Sequence, residues 1–244
     1  MTQRKKLKNK ISKKRRHKGG TLIPKQGDLI NTHLMSSKKK KETTGQEIFM
    51  YNGTIYQLNS TTFGFLKQVF NKSNDKWFKF VIFNNDGEDY IYIINGGQIN
   101  KHSVCMLMGL LDVTKDTTEY EDLRMQVKAL INFKMDNNPF DIFSNTLLRE
   151  ELELLIQNID ALIEENIPNM PVIAAGSGTV NDDDTICINN KSGHYKPNET
   201  SMEIARDMFM QKTGASVYIT EKADKNLLRE KYGDDYENYS GICL

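Results

Sequence analysis

A chain of 244 residues can bury one good core and carry a small appendage. It has no apolar run approaching the roughly 18 residues needed to span a bilayer. Its net charge of +1 conceals a division: residues 1–41 hold fifteen Lys and Arg against the single acid Asp28, while the other 203 residues carry 18 basic and 31 acidic groups. A basic arm on an acidic body excludes a uniformly basic nucleic-acid-binding fold.

Residues 1–46 read as a disordered basic arm. The blocks Lys5-Lys6, Lys13-Lys14-Arg15-Arg16 and Lys38–Lys41 repel one another and offer too little apolar surface to fold. Such an arm either binds nucleic-acid phosphates without sequence preference, through Lys5, Lys6, Lys13, Lys14, Arg15 and Arg16, or targets the chain to the nucleus. The plainer alternative is a solubilising tail. No aromatic residue is interleaved with these cations, so base stacking is not supported.

From Glu47 the composition changes, and residues 47–244 are expected to form one domain. Ile48–Tyr51, the turn Asn52-Gly53 and Thr54–Leu58 have the form of a hairpin. Phe63, Leu66, Val69 and Phe70 share a helical face. Trp77–Phe83 and Tyr90–Ile94, joined near Asn85-Asp86-Gly87, make a second hairpin, which leads through Asn95-Gly96-Gly97 to a polar loop at Lys101–Ser103. A helical insertion occupies about 113–169, with helices at 119–133 and 145–165. Leu147, Leu148, Leu152, Leu155, Ile156, Ile159, Leu162 and Ile163 form a broad stripe in the second. The stripe reads as a core face, with a partner groove as the alternative.

Strands follow at 172–180 and 185–188, then a helix at 200–213 opened by a capping box at Thr200–Glu203 and closed by Gly214. A strand at 217–219 and a helix at 222–232 complete the chain. The expected fold is α+β: a twisted, mainly antiparallel sheet covered by helices.

Cys105, Cys187 and Cys243 are too few and too scattered for a disulfide framework, which implies reduced thiols and an intracellular protein. The N-terminus lacks the apolar core of a secretory signal. Cys243 stands second from the end, where it cannot form a prenylation box.

Chemistry concentrates between the strand at 185–188 and the helix at 200. Ser192, Gly193, His194, Tyr195, Lys196 and Pro197 form a polar loop there, and His102-Ser103 is the other ordered His-Ser pair. If the two share a site, His102, His194 and Tyr195 are the candidate catalytic groups. His194 would be the acid–base residue, its pKa lying near neutrality. Ser103, Ser192, Gly193, Lys196, Gly176 and Ser177 are the candidate ligand-binding residues. Gly176-Ser177-Gly178 is not a phosphate loop, because Thr179-Val180 stands where Lys-Ser/Thr is needed. Its small residues instead permit a close approach. No metal-ligand spacing is present, no Gly-x-Ser-x-Gly elbow supports a hydrolase, and no cofactor is indicated.

Three ordered segments, His102-Ser103 through Gly109, Ala174-Ala175-Gly176 and Ser192-Gly193-His194-Tyr195-Lys196-Pro197, resemble motifs of the plant IQ-motif calmodulin-binding proteins and of related fungal, bacterial and large-virus proteins. The resemblance covers about a third of the chain, roughly residues 78–112 and 170–214. It implies a small α/β module with His102, Ser103, Gly193, His194 and Tyr195 as its signature, and carries over no defined chemistry. Residues 113–169 separate motifs that are adjacent in the plant proteins, and no IQ motif precedes the module. Calmodulin binding is therefore not implied. The run ending in His17-Lys18-Gly19-Gly20 also resembles basic tails of large DNA-virus proteins. Taken together, these features describe an intracellular, viral interaction protein, sent to the host nucleus or virion, with a ligand- or peptide-binding site. The alternative is an enzyme acting on a nucleotide-type or phosphorylated substrate.

Overall fold

The computed structural model describes residues 44–167, 172–192, 195 and 197–243. Residues 1–43 of the basic arm, and with them Lys5, Lys6, Lys13, Lys14, Arg15 and Arg16, lie outside the described residues, as do Gly193, His194 and Lys196, while residues 44–46 belong to the body. Among the described residues the fold is α+β, with eight α-helices around one six-stranded open sheet. The helices are α1 (Thr44–Met50), α2 (Ser60–Val69), α3 (His102–Val113), α4 (Glu121–Asp136), α5 (Pro139–Ser144), α6 (Thr146–Asn166), α7 (Glu199–Thr213) and α8 (Lys225–Tyr232). The strands are β1 (Ile55–Gln57), β2 (Phe78–Asn85), β3 (Glu88–Asn95), β4 (Val172–Val180), β5 (Ile186–Asn189) and β6 (Val217–Thr220).

The order across the sheet is β1-β3-β2-β4-β5-β6. Every pairing is antiparallel except β5 with β6, which α7 connects in parallel. The β2–β3 hairpin is the one expected. Its strands are aromatic and β-branched, and Asp86-Gly87 adopts the positive φ angles that close a tight turn.

Alternation along β2 sorts the two faces. Phe78 and Phe80 pack on Phe209 of α7, with centroids 6.1 and 5.1 Å away, and Phe70 at the end of α2 joins them at 5.5 Å from Phe78. The opposite face, with Val81, Phe83 and Tyr92, receives α3, whose Gly109 sits directly against the Tyr92 and Phe83 rings. Helix α3 is buried on two sides. Cys105 and Met106 join the sheet core, while Val104, Leu107, Leu110 and Leu111 join a second cluster with Leu123, Leu130, Ile159 and Ile163 of the insertion helices.

Four local expectations are corrected. Residues 44–50 are helical, so the first hairpin does not form. Ile48 and Phe49 are drawn into the cluster of insertion helices, and only Ile55–Gln57 joins the sheet, against β3. His102-Ser103 opens α3 instead of lying in a loop. The residues that follow are apolar almost without interruption, so they lack the single stripe that marks a surface helix. The cap of α7 is Asn198, which accepts from the Ser201 N–H at 2.8 Å, two residues before the expected box. Finally, Cys187 and Cys243 form a disulfide with their Cα atoms 6.3 Å apart, because the C-terminal residues fold back over β5. Cys105 is free and buried, and burial pushes its thiol far above the usual range, which removes it as a nucleophile.

Candidate functional site

The sheet surface beside the start of α3 is polar. Lys79 pairs in register with Ser177, and Ser177 with Asn189, so the three side chains form a row across β2, β4 and β5. Thr220 continues it on β6. C-terminal residues cross this row. Gly241 rests on Trp77 and beside Ser177, its carbonyl accepts from Asn189 Nδ2 at 3.1 Å, and the Trp77 Nε1–H donates to the Asn238 carbonyl at 2.9 Å. The disulfide pins the end of this strap to β5.

His102 is buried, and its Nε2 lies 2.8 Å from the carbonyl oxygen of Gly176. A carbonyl can only accept, so Nε2 carries the proton there. Gly176 stands one residue beyond the last β4–β5 pair, Ser177–Asn189. A Cβ at Gly176 would fall 2.1 Å from the Asn189 carbonyl oxygen and 2.8 Å from the Phe80 ring. The expected close approach is therefore present, and another strand's backbone makes it. Ser103 is fully buried and donates to Glu47 Oε2, a carboxylate brought by α1 to the N-terminus of α3, where negative charge is favoured.

The residue before the third segment, Lys191, meets β4 at Ser177. The Ser177 Oγ–H donates to the Lys191 carbonyl at 3.3 Å, and the Lys191 N–H donates to Asn189 Oδ1 at 3.1 Å. Ser192 Oγ accepts from the Tyr195 N–H at 3.0 Å, while Tyr195 is buried in the sheet core. His102 and Gly176 thus come together from positions 74 residues apart, and Ser177 meets Lys191, the residue before Ser192. His194, Gly193 and Lys196 lie outside the described residues, so the common cleft expected for His102 and His194 is not among the described features.

Charge is the feature that motif reading missed. Lys79 Nζ donates to the carbonyls of Gly97, at 2.7 Å, and of Asn100, and sits 5.6 Å from the Trp77 ring centroid. Burial, followed by the nearby charges of Lys101 and Lys191, lowers its pKa to about 7, against the opposing influence of Glu47. Lys191 is itself lowered, by burial first and then by Lys222 and Lys225, with Glu237 opposing. Five lysines are linked through Lys191: Lys101 and Lys191 act on Lys79, and Lys222 and Lys225 act on Lys191, with Glu47 and Glu237 among the opposing charges. A usable signal existed in the sequence: Lys79 is the one charge inside the apolar run Trp77–Phe83.

A separate cleft of about 370 Å³ lies between α7 and the Asp89 and Ile173 ends of β3 and β4. It is lined by Glu203, Ile204 and Met208 among others and contains none of the motif residues. Among the described residues no cluster of three or more His, Cys, Asp or Glu is arranged to hold a metal ion, and no helix is long and apolar enough to cross a membrane. Compared with family models, curated proteins and solved structures, the chain matches none.

Proposed function

We propose that this is an interaction protein whose motif segments hold an anionic, phosphate-bearing ligand at the lysine cluster, and whose basic arm binds nucleic-acid phosphates or directs the chain to the nucleus or virion. The observation that carries the ligand reading is the buried Lys79, held on two carbonyls and lowered by Lys101 and Lys191, with Lys191 in turn lowered by Lys222 and Lys225. Bringing like charges together costs folding energy, and an anion among them offsets that cost. Lys79 spends two of its three donors on carbonyls, which leaves one for a ligand oxygen.

A second reading, an enzyme acting on a phosphorylated substrate, is favoured by one detail. Lys79 has a pKa of about 7 and lies in the polar row next to the strand position that His102 bonds, a setting suited to proton transfer.

Calorimetric titration with inorganic phosphate, pyrophosphate and a nucleoside triphosphate tests the ligand reading. At least one should bind, and Lys191→Met should weaken it tenfold or more. Because the ligand needs Lys79 charged, affinity should fall with rising pH above about 7. Absence of binding by all three anions, or equal binding by Lys191→Met, refutes the site. For the arm, deleting residues 1–41 should abolish salt-sensitive retention on nucleic acid, and unchanged retention refutes that part.

A further inference from the structure

The insertion carries a surface that the lysine site does not use. Met135, Phe140, Phe143 and Leu147 are 78, 79, 66 and 75% exposed, and no other large apolar side chain among the described residues exceeds 57%. All four fall within thirteen residues, covering the end of α4, all of α5 and the first turn of α6. Phe140 and Phe143 stand three apart on α5, while Ile142 anchors that helix in the core below. Asn138 caps α5 and Pro139 begins it, so the corner is built without help from the exposed rings. Single exposed apolar residues are ordinary, but two phenylalanines, a leucine and a methionine gathered at one corner mark a contact surface.

Its rim is acidic. Asp136, Asp141, Glu150 and Glu151 are exposed in the same stretch against the single base Arg149, and residues 113–167 as a whole hold twelve acids and five bases. That charge opposes pairing with the same corner of a second copy and favours a basic, partly apolar occupant.

We propose that the corner is the docking surface for this chain's own residues 21–35. These residues lie outside the described part and enter through sequence and reach alone. Leu22, Ile23, Leu29, Ile30, Leu34 and Met35 gather in that stretch, between the basic blocks at 13–18 and 38–41. Apolar residues flanked by cations complement an apolar corner flanked by acids. The chain also enters the body at the right place. Helix α1 is seated on α6, with the Gly45 N–H donating to Asp160 Oδ1 at 3.0 Å. From Asp160 back to Leu147 is about 20 Å along the helix. The nine residues from Met35 to Thr44 span at most about 32 Å, so the stretch reaches the corner without strain. Tethering gives it an effective concentration in the millimolar range, ahead of any partner free in solution. Lys13, Lys14, Arg15 and Arg16 of the preceding block are also assigned to nucleic acid, so nucleic acid competes with docking.

The test uses the full chain with Phe143 replaced by p-benzoylphenylalanine. It is irradiated as a mixture of isotope-labelled and unlabelled protein, and the crosslinks are mapped by mass spectrometry. Crosslinks within one chain that land in residues 21–35 are expected. Their yield should fall at least fivefold when Leu29→Asp, Ile30→Asp and Leu34→Asp are combined, or when duplex DNA is added. Labelled-to-unlabelled crosslinks would assign the corner to a second copy and overturn the proposal. It is equally overturned by crosslinks elsewhere in the chain, by no protein crosslink, or by an undiminished yield in the triple variant.

Discussion

Replacing Lys79 with methionine removes the one charge from strand β2 and gives the site a stability signature that can be calculated in advance. The lysine's pKa drops from 10.5 to about 7 on folding, chiefly through burial. Between those values the unfolded chain holds a proton that the folded chain lacks, so folding stability rises with pH across this window. Below pH 7 both states are protonated and the full cost of burying the charge is present, on the order of 5 kcal/mol for a pKa lowered from 10.5 to about 7. Lys79→Met has no such dependence. Urea unfolding of both proteins at pH 6.5, 7.5, 8.5 and 9 isolates the effect, because other titrating groups cancel in the difference. The wild type should gain about 2–3 kcal/mol on the variant from pH 6.5 to 9. The absolute difference at pH 6.5 is smaller than the burial cost, because the variant also gives up the hydrogen bonds to the Gly97 and Asn100 carbonyls. A difference that stays flat over this range would refute the assignment of Lys79 as a buried, readily neutralised amine, and with it the pH dependence of ligand binding.

Two further outcomes follow from the same surface. The Cys187–Cys243 bond closes a loop of 56 residues, so reduction should lower unfolding stability by about 2–4 kcal/mol, read as a shift of the urea midpoint with and without reductant. Gly176→Ala should cost about 3 kcal/mol in thermal or urea unfolding, because its Cβ would meet the Asn189 backbone, which cannot rotate away. A loss under about 1 kcal/mol would show that β4 and β5 separate easily.

Much of the secondary structure was legible where a single period dominates. The hairpin of β2 and β3, the insertion helices α4 and α6, and the stop of α7 at Gly214, with its φ of +74°, all announce themselves locally. Helix α3 did not. It is buried between the sheet and the insertion helices, so its apolar residues surround it and leave no polar face to set a phase. The short helix α1 was misread for the related reason that tertiary burial of Ile48 and Phe49 overrides their strand-like local preference.

What the sequence determined by itself was an acidic α+β body behind a basic arm, and the polar segments in which chemistry could concentrate. Charge balance, periodicity and turn residues are local properties, so they can be read without a fold. Tertiary structure alone decided that His102 bonds a strand carbonyl, that Ser103 meets Glu47, that Cys187 reaches Cys243, and that Lys79 is buried within the influence of Lys101 and Lys191. Each of these depends on distance through space and on the loss of water around a polar group, and neither quantity is written in the order of residues along the chain.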